Sequence, residues 1–594
     1  MRIRRKFLSA VTSAVLAAAV LSGCSFSNDS ATTSSSGSGV TAVAVSAGLT
    51  AADVLASDKD VQTVSDTDTS GAVDITLSGT SATSSGKGVK VDGSTVTITA
   101  EGVYRVSGTL TDGQIVVNAP KATVTLILDG AHITSSTTAA IGATEAGELV
   151  IDLAEGSTND LADASSYADD AVANAALFSA GDLTVTGAGA LSVKGNGNDA
   201  IAAKDGLVIQ SGTITVTAAD DGIRGKDYLV VNGGTITVTA GGDGLKADNA
   251  EDADAGFVAV AGGTVTVTAG GDGVDATTDL VITGGKVTIA AGGGATTTPS
   301  DDTSTKGLKS GAISVLEGGT VIVDSSDDAV HSDGAVRLNG ATITVASGDD
   351  GVHAESNLQI DSGTLTIASS VEGIESANIA VNGGSVDLTS SDDGLNAASN
   401  STTGEQQAGR GGGGEDVGPY TATVTGGTLV INAEGDGFDS NGTASMTGGT
   451  VVVSGPTRSG NGALDVNGTF TISGGVLVAA GSSGMVVTPD TGSTQGWLSA
   501  SLDSAVEAGT TVQIADSDGT VLASFVTTKA MQNIVYSAPA IETGQQYTIY
   551  SGGEASGAST GGLSASGTLG SAQKITTVTA GDAPAGGGFG GHGR

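Results

Sequence analysis

The sequence predicts an all-β protein: a right-handed parallel β-helix with three short strands per coil of about 22 residues, closed by a small C-terminal antiparallel β cap. Three observations carry this expectation. A phrase made of an acid, usually a Gly, an aliphatic residue, any residue and a small residue keeps returning between residues 199 and 439. It reads Asp221-Gly222-Ile223-Arg224-Gly225, Asp243-Gly244-Leu245-Lys246-Ala247 and Asp350-Gly351-Val352-His353-Ala354, at steps such as 243 − 221 = 22 residues. Between copies lie two alternating β segments hinged on Gly-Gly, as in Leu229-Val230-Val231-Asn232-Gly233-Gly234-Thr235-Ile236-Thr237-Val238-Thr239-Ala240, and no helical periodicity competes with them. Finally, 95 Gly against only 7 Pro in 594 residues is too regular and too β-rich for a disordered low-complexity chain.

In chain order, residues 1–24 form a targeting segment: a basic start (Arg2, Arg4, Arg5, Lys6), an apolar run over 7–20, and Leu21-Ser22-Gly23-Cys24, which matches a bacterial lipobox. Cys24, the single cysteine, is therefore the expected lipidated residue, anchoring the protein in the cell membrane and exposing it outside the cytoplasm. Residues 25–71 are rich in Ser, Thr, Ala and Asp and read as a flexible tether. Residues 72–198 carry β runs of looser period, the irregular first coils and N-terminal cap that keep a solenoid end covered; an Ala-rich insertion at 167–180 reads as one short helix. Regular coils follow over 199–490, with loops at 292–303 and 398–418. Within them Ile236, Val238, Val265, Val267, Ile343, Val345, Leu365 and Ile367 should face inward, and Thr235, Thr237, Thr239, Thr264, Thr266 and Thr268 outward. Residues 496–550 form the cap, with Asp518-Gly519 as a hairpin turn, and 551–594 are a Gly-rich tail expected to be disordered.

Acids outnumber bases 64 to 23, a net charge of −41, which excludes direct binding to nucleic acid and favours cations. Stacking brings Asp199, Asp221, Asp243, Asp272, Asp328, Asp350, Glu372, Asp393 and Asp436 into one corner column. Asp220, Asp327, Asp349 and Asp392 stand beside it. Two carboxylates about 4.8 Å apart repel by about 3.5 kcal/mol at an effective dielectric of 20, so the column needs solvent, backbone N–H groups or cations. Each Asp could simply make an Asx turn before its Gly. Paired acids beside turn carbonyls also suit Ca²⁺, and the candidate ligands are Asp220, Asp221, Asp243, Asp272, Asp327, Asp328, Asp349, Asp350, Asp392 and Asp393. Three residues after each corner acid runs a second column: Arg224, Lys246, Asp275, Lys309, His331, His353, Glu375, Asn396 and Asp439. It reads as a solvated face on which His331 and His353 could make a local metal or sugar contact. Lys306 stands where the repeat calls for a corner acid. It is expected to bridge flanking carboxylates, and the sharper alternative is a base removing the C5 proton of a uronate beside Ca²⁺.

The run Val96-Thr97-Ile98-Thr99-Ala100-Glu101-Gly102-Val103-Tyr104-Arg105-Val106-Ser107-Gly108-Thr109-Leu110, followed by Asp112-Gly113-Gln114-Ile115-Val116-Val117, Leu126-Ile127-Leu128-Asp129-Gly130, Ala200-Ile201 and Lys204-Asp205-Gly206-Leu207, resembles the bacterial cell-surface family of carbohydrate-binding domain-containing proteins. The resemblance covers about 73–550. It implies a polysaccharide-lyase-like right-handed β-helix, calcium in the fold, and non-catalytic binding of a plant-type or acidic polysaccharide. With aromatics at only 3%, few rings are available to stack on neutral sugars, which leans the expectation toward acidic glycans. The expected protein is a monomeric lipoprotein that binds polysaccharide with Ca²⁺. A Ca²⁺-dependent lyase acting on uronate polymers and a structural adhesin are the alternatives.

Overall fold

Ile236, Val238, Val265, Val267, Ile343, Val345, Leu365 and Ile367 are all buried, and the alternate threonines of the same strands are exposed. The computed structural model describes residues 46–62, 69–168, 170–299, 303–398 and 417–582, all within one compact unit, 42–594. The architecture is all-β, and the only described helix is Ala51–Leu55. No helix among the described residues is long and apolar enough to cross a membrane.

Most strands belong to one long sheet, and through its regular part each pairs in parallel with the strand three places later, so there the chain returns to the same ladder after every third strand. One tier is Ile223–Gly225, Tyr228–Val231 and Thr235–Ala240; the next is Leu245–Ala247, Phe257–Val260 and Thr264–Ala269. Ile223 pairs with Leu245, Tyr228 with Phe257 and Ile236 with Val265, so like stacks on like and inward Ile, Val and Leu build one continuous core. Ala335–Ser347 runs through one corner and serves two ladder positions, and Val352–Ser369 runs through two corners and serves all three.

Glycine does different work at two corners. At the Gly-Gly corner, Gly234 and Gly263 take φ of 92° and 83°, a region that suits residues without a Cβ. At the acid corner the need is space: a Cβ on Gly244 would stand 2.6 Å from Gly273 O and 2.2 Å from a Val267 methyl. The Gly of the repeated phrase is thus set by close approach between tiers.

Three expectations require correction. The stretch 25–71 does not read through as a tether, because residues 46–62 lie as a strap on the outward face of the second strands. Thr50 and Asp53 form a reciprocal capping box. Ala47, Ala51 and Val54 are buried against Val208, Tyr228, Phe257, Val281 and Val315. Lys59 pairs with Asp205 and Asp227, the Gln62 N–H donates to Tyr228 Oη, and Arg337 Nη1 donates to Leu49 O. The tail is also ordered through residue 582: Glu554–Thr560, Leu563–Thr568 and Gln573–Thr579 join Thr511–Ala515, Val521–Val526 and Gln546–Ser551 in a six-stranded antiparallel sheet. Its glycines serve turns, and its Ser/Thr runs pair as strands. That sheet packs over Val452, Val478 and Ala480 on the outward face of the last third strands. Within 167–180 there is a strand, Ala175–Ser179, in place of the expected helix, because its Leu177 pairs in the ladder with both Ile141 and Ile201.

The hairpin at Asp518-Gly519 is present, joining Thr511–Ala515 to Val521–Val526. Strands Trp497–Val506 and Met531–Ser537 instead add antiparallel to the end of the long sheet. Among the described residues, no regular element stands between Ala291 and Leu308. Residues 1–45, 399–416 and 583–594, with the lipobox, Cys24 and most of the 398–418 loop, lie outside the described residues.

Candidate functional site

The corner acids do not make Asx turns. Most hand a carboxylate oxygen to the next tier: Asp221 N–H donates to Asp199 Oδ1 at 3.3 Å, Asp243 N–H to Asp221 at 2.9 Å, Asp272 N–H to Asp243 at 2.7 Å and Lys306 N–H to Asp272 at 2.7 Å. The chain resumes with Asp350 N–H on Asp328 at 3.1 Å, Asp436 N–H on Asp393 at 2.6 Å and Gly462 N–H on Asp436 at 2.6 Å. Backbone donors thus take one oxygen of Asp199, Asp221, Asp243, Asp272, Asp328, Asp393 and Asp436, while Asp350 pairs with His353 and Glu372 accepts from the Asn396 side chain.

The second column supplies counter-ions for the other oxygen. It stacks in register as the repeat implies, but it is not a solvated face: His331, His353, Glu375, Asn396 and Asp439 are buried. Lys246 Nζ lies 2.6 Å from Asp243 and 3.3 Å from Asp221, and Lys309 Nζ 3.1 Å from Asp272. His331 Nδ1 sits 2.7 Å from Asp328, and His353 Nδ1 2.8 Å from Asp350. Stem and corner are three residues apart across a tight bend, so Lys246, His331 and His353 fold back over their own acids, whereas Lys309, whose own corner is Lys306, reaches Asp272 of the preceding tier.

Lys306 Nζ lies 2.9 Å from Asp327 and 2.7 Å from Asp328. Burial alone would favour the neutral amine, but attraction to Asp328 and hydrogen bonds to Asp328 and Asp327 outweigh it and raise the pKa. Lys306 is thereby held as a cation, the protonation state opposite to that of a base.

The cations end at His353. Beyond it the column continues Glu375, Asn396, Asp439 and Asp465 beside Glu372, Asp393 and Asp436. Burial first, then the neighbouring acids, pushes Glu375 up to about 10, Asp439 to about 8 and Glu372 to about 7. For His331 burial opposes the charge, yet hydrogen bonds to Asp328 and Asp333 prevail and lift it to about 9.

Groups of three donor residues with ligand atoms within 4.8 Å of one another occur at Asp328/His331/His353, Asp350/His353/Glu375 and Asp327/Asp328/Asp349. These buried acid and histidine clusters could hold a metal ion. Asp220, Asp221, Asp243, Asp272, Asp392 and Asp393 stand outside all three. His331, His353 and Glu375 are the donors that stand outside the expected Ca²⁺ ligand set. The signal for them was present as His331 and His353 one period apart.

A second surface lies on the third strands. Threonines 213, 215 and 217 stack on 235, 237 and 239 and on 264, 266 and 268, forming an exposed hydroxyl field. It continues into a shallow groove of 330 Å³ lined by Thr109, Thr111, His132, Thr134, Asp160 and Lys194, where His132 Nδ1 lies 2.6 Å from Asp160.

A family model, carbohydrate-binding domain-containing protein, matches residues 92–351 and 336–413, more than half of the chain. The chain belongs to this family. The matched span of the carbohydrate-binding domain holds the hydroxyl field, the groove and the His331/His353 clusters. A carbohydrate-binding domain-containing protein of Acetivibrio thermocellus is 40% identical over 136 residues, which is 22% of this chain and 48% of that relative, so the match spans about half of the relative's length. A solved polysaccharide lyase-like protein from C. thermocellum, a gadolinium derivative, is similar at 35% identity over 37% of this chain and 92% of that one, with a TM-score of 0.37.

Proposed function

We propose that the protein is a cell-surface lipoprotein, tethered at Cys24, that binds an acidic or plant-type polysaccharide without cleaving it, as a monomer and with help from Ca²⁺. The tiers form a right-handed parallel β-helix in this reading. Family membership over 92–413 is the observation that carries it, because that span contains the exposed hydroxyl field. Rows of threonine about 4.8 Å apart between tiers offer repeated hydrogen bonds to an extended sugar chain. Lys194 and His132 in the adjoining groove offer charge partners for carboxylates. The oxygen-only group Asp327/Asp328/Asp349 is the part of the acid ladder whose donor chemistry fits Ca²⁺. Catalysis is assigned to no residue, and the ion pairs of Lys306 support its structural role.

Affinity electrophoresis in polygalacturonate and in a neutral glucan, with and without Ca²⁺, tests the proposal, run beside an absorbance assay for unsaturated products. Retardation in polygalacturonate that is strengthened by Ca²⁺, without product, is the expected result. Steady product formation would replace the binder with a lyase. No retardation in any glycan would leave the structural adhesin.

A further inference from the structure

His331 and His353 occupy one ladder position on adjacent tiers, and their rings lie 5.0 Å apart at an interplanar angle of 35°. His353 belongs to two of the three donor groups and is buried. Its Nδ1 lies 2.8 Å from Asp350 Oδ2 and 3.6 Å from Glu375 Oε2, and its Nε2 faces Glu355 Oε1 at 3.6 Å. The His331–Asp328 pair flanks it on the preceding tier. Asp328 is already served by Lys306 at 2.7 Å and by the Asp350 N–H, and Asp350 and Glu375 are the carboxylates that face His353 Nδ1 from its own and the following tier.

We propose that His353, Asp350 and Glu375 form a buried site for one divalent transition-metal ion of the zinc class, distinct in donor chemistry from the all-oxygen Asp327/Asp328/Asp349 group. An imidazole nitrogen with two carboxylate oxygens suits Zn²⁺, Co²⁺ or Ni²⁺, whereas Ca²⁺ takes oxygen ligands in larger number. Donor atoms within 4.8 Å must close to bonding distances of about 2.0–2.2 Å, a movement that the longer Glu375 stem allows. Glu355 then stands behind the ring as the outer carboxylate that orients a metal-bound imidazole. The site depends on no glycan.

The full chain without an affinity tag, stripped with chelator, is titrated calorimetrically with Zn²⁺, Co²⁺ and Ca²⁺ near neutral pH. Zn²⁺ is expected to bind at one equivalent and raise the melting temperature, Co²⁺ to give visible d–d absorption, and affinity to fall as pH drops, since the ligands must shed protons. His353→Gln should abolish the Co²⁺ spectrum, and Glu375→Gln should weaken Zn²⁺ at least about tenfold. His331→Gln should leave one equivalent bound. Absence of stoichiometric Zn²⁺ binding would overturn the proposal. So would wild-type affinity in both His353→Gln and Glu375→Gln, which would place the ion elsewhere. If His353→Gln fails to fold, Glu375→Gln carries the test alone. Ca²⁺ binding that His353→Gln leaves unchanged is expected, because it belongs to the oxygen-only group.

Discussion

Asp243 performs two tasks that isosteric substitution separates. One carboxylate oxygen accepts the Asp272 N–H and the other faces Lys246. Asn at 243 keeps an acceptor for the N–H and loses the charge, while Ala loses both. Asp243→Ala is expected to cost about 1–3 kcal/mol by leaving a buried N–H without a partner, and Asp243→Asn distinctly less, as read from urea unfolding. Lys306→Ala should cost more, about 3–5 kcal/mol, since Asp328 would remain buried without its lysine. The sequence displayed the acids and the odd lysine at their spacing, but not their partners. A carboxylate bonded to an amide about one period away is invisible until the tiers stack, so a local Asx turn was the natural alternative. The second column was misjudged for the same reason: Lys246, His331 and His353 look like a polar face in one dimension and fold back over the acids in three.

Among the elements, the strap shows how a polar segment becomes structure. Thr50 and Asp53 at capping-box spacing, with Ala51 and Val54 aimed inward, were readable. So were the unbroken apolar runs Tyr228-Leu229-Val230-Val231 and Phe257-Val258-Ala259-Val260, because a strand apolar on both faces must be covered on both. Composition pointed the other way and prevailed in the sequence reading. The strap also carries a pH dependence. Asp58 packs against Asp279, with Asp254 also close and the Lys59–Asp205–Asp227 ion pairs next in the chain. Burial first, then Asp279, lifts Asp58 to about 8. The docked strap therefore holds a proton that the undocked strap releases above about pH 4, so docking weakens as pH rises from about 4 to about 8 and loses no more above that. Hydrogen exchange of amides 46–62, corrected for intrinsic rates, should show weaker protection at pH 9 than at pH 6. Asp58→Asn should remove most of that difference.

Across the whole molecule, period, tier and inward face were legible because each is one-dimensional information repeated many times. The two ends were not, since the C-terminal sheet and the strap follow no repeat. A net charge of −41 has its own consequence: the exposed acids repel one another across the surface. Raising NaCl from about 0.01 M to about 1 M shortens the screening length from about 30 Å to about 3 Å. The melting temperature of chelator-treated protein should therefore rise with salt, because the solvated repulsions are screened more than the buried pairs.

The strap also determines how the molecule meets mechanical load. It runs against the order of the tiers, from Leu49 beside Arg337 to Gln62 beside Tyr228, before the chain enters the first strands at Val73. A pull on the chain ahead of Ser46 is thus delivered midway along the stack and must first peel a short helix and its ion pairs from an apolar stripe. Under such a load the strap is expected to give way first, while the ladders of backbone bonds behind it stay intact.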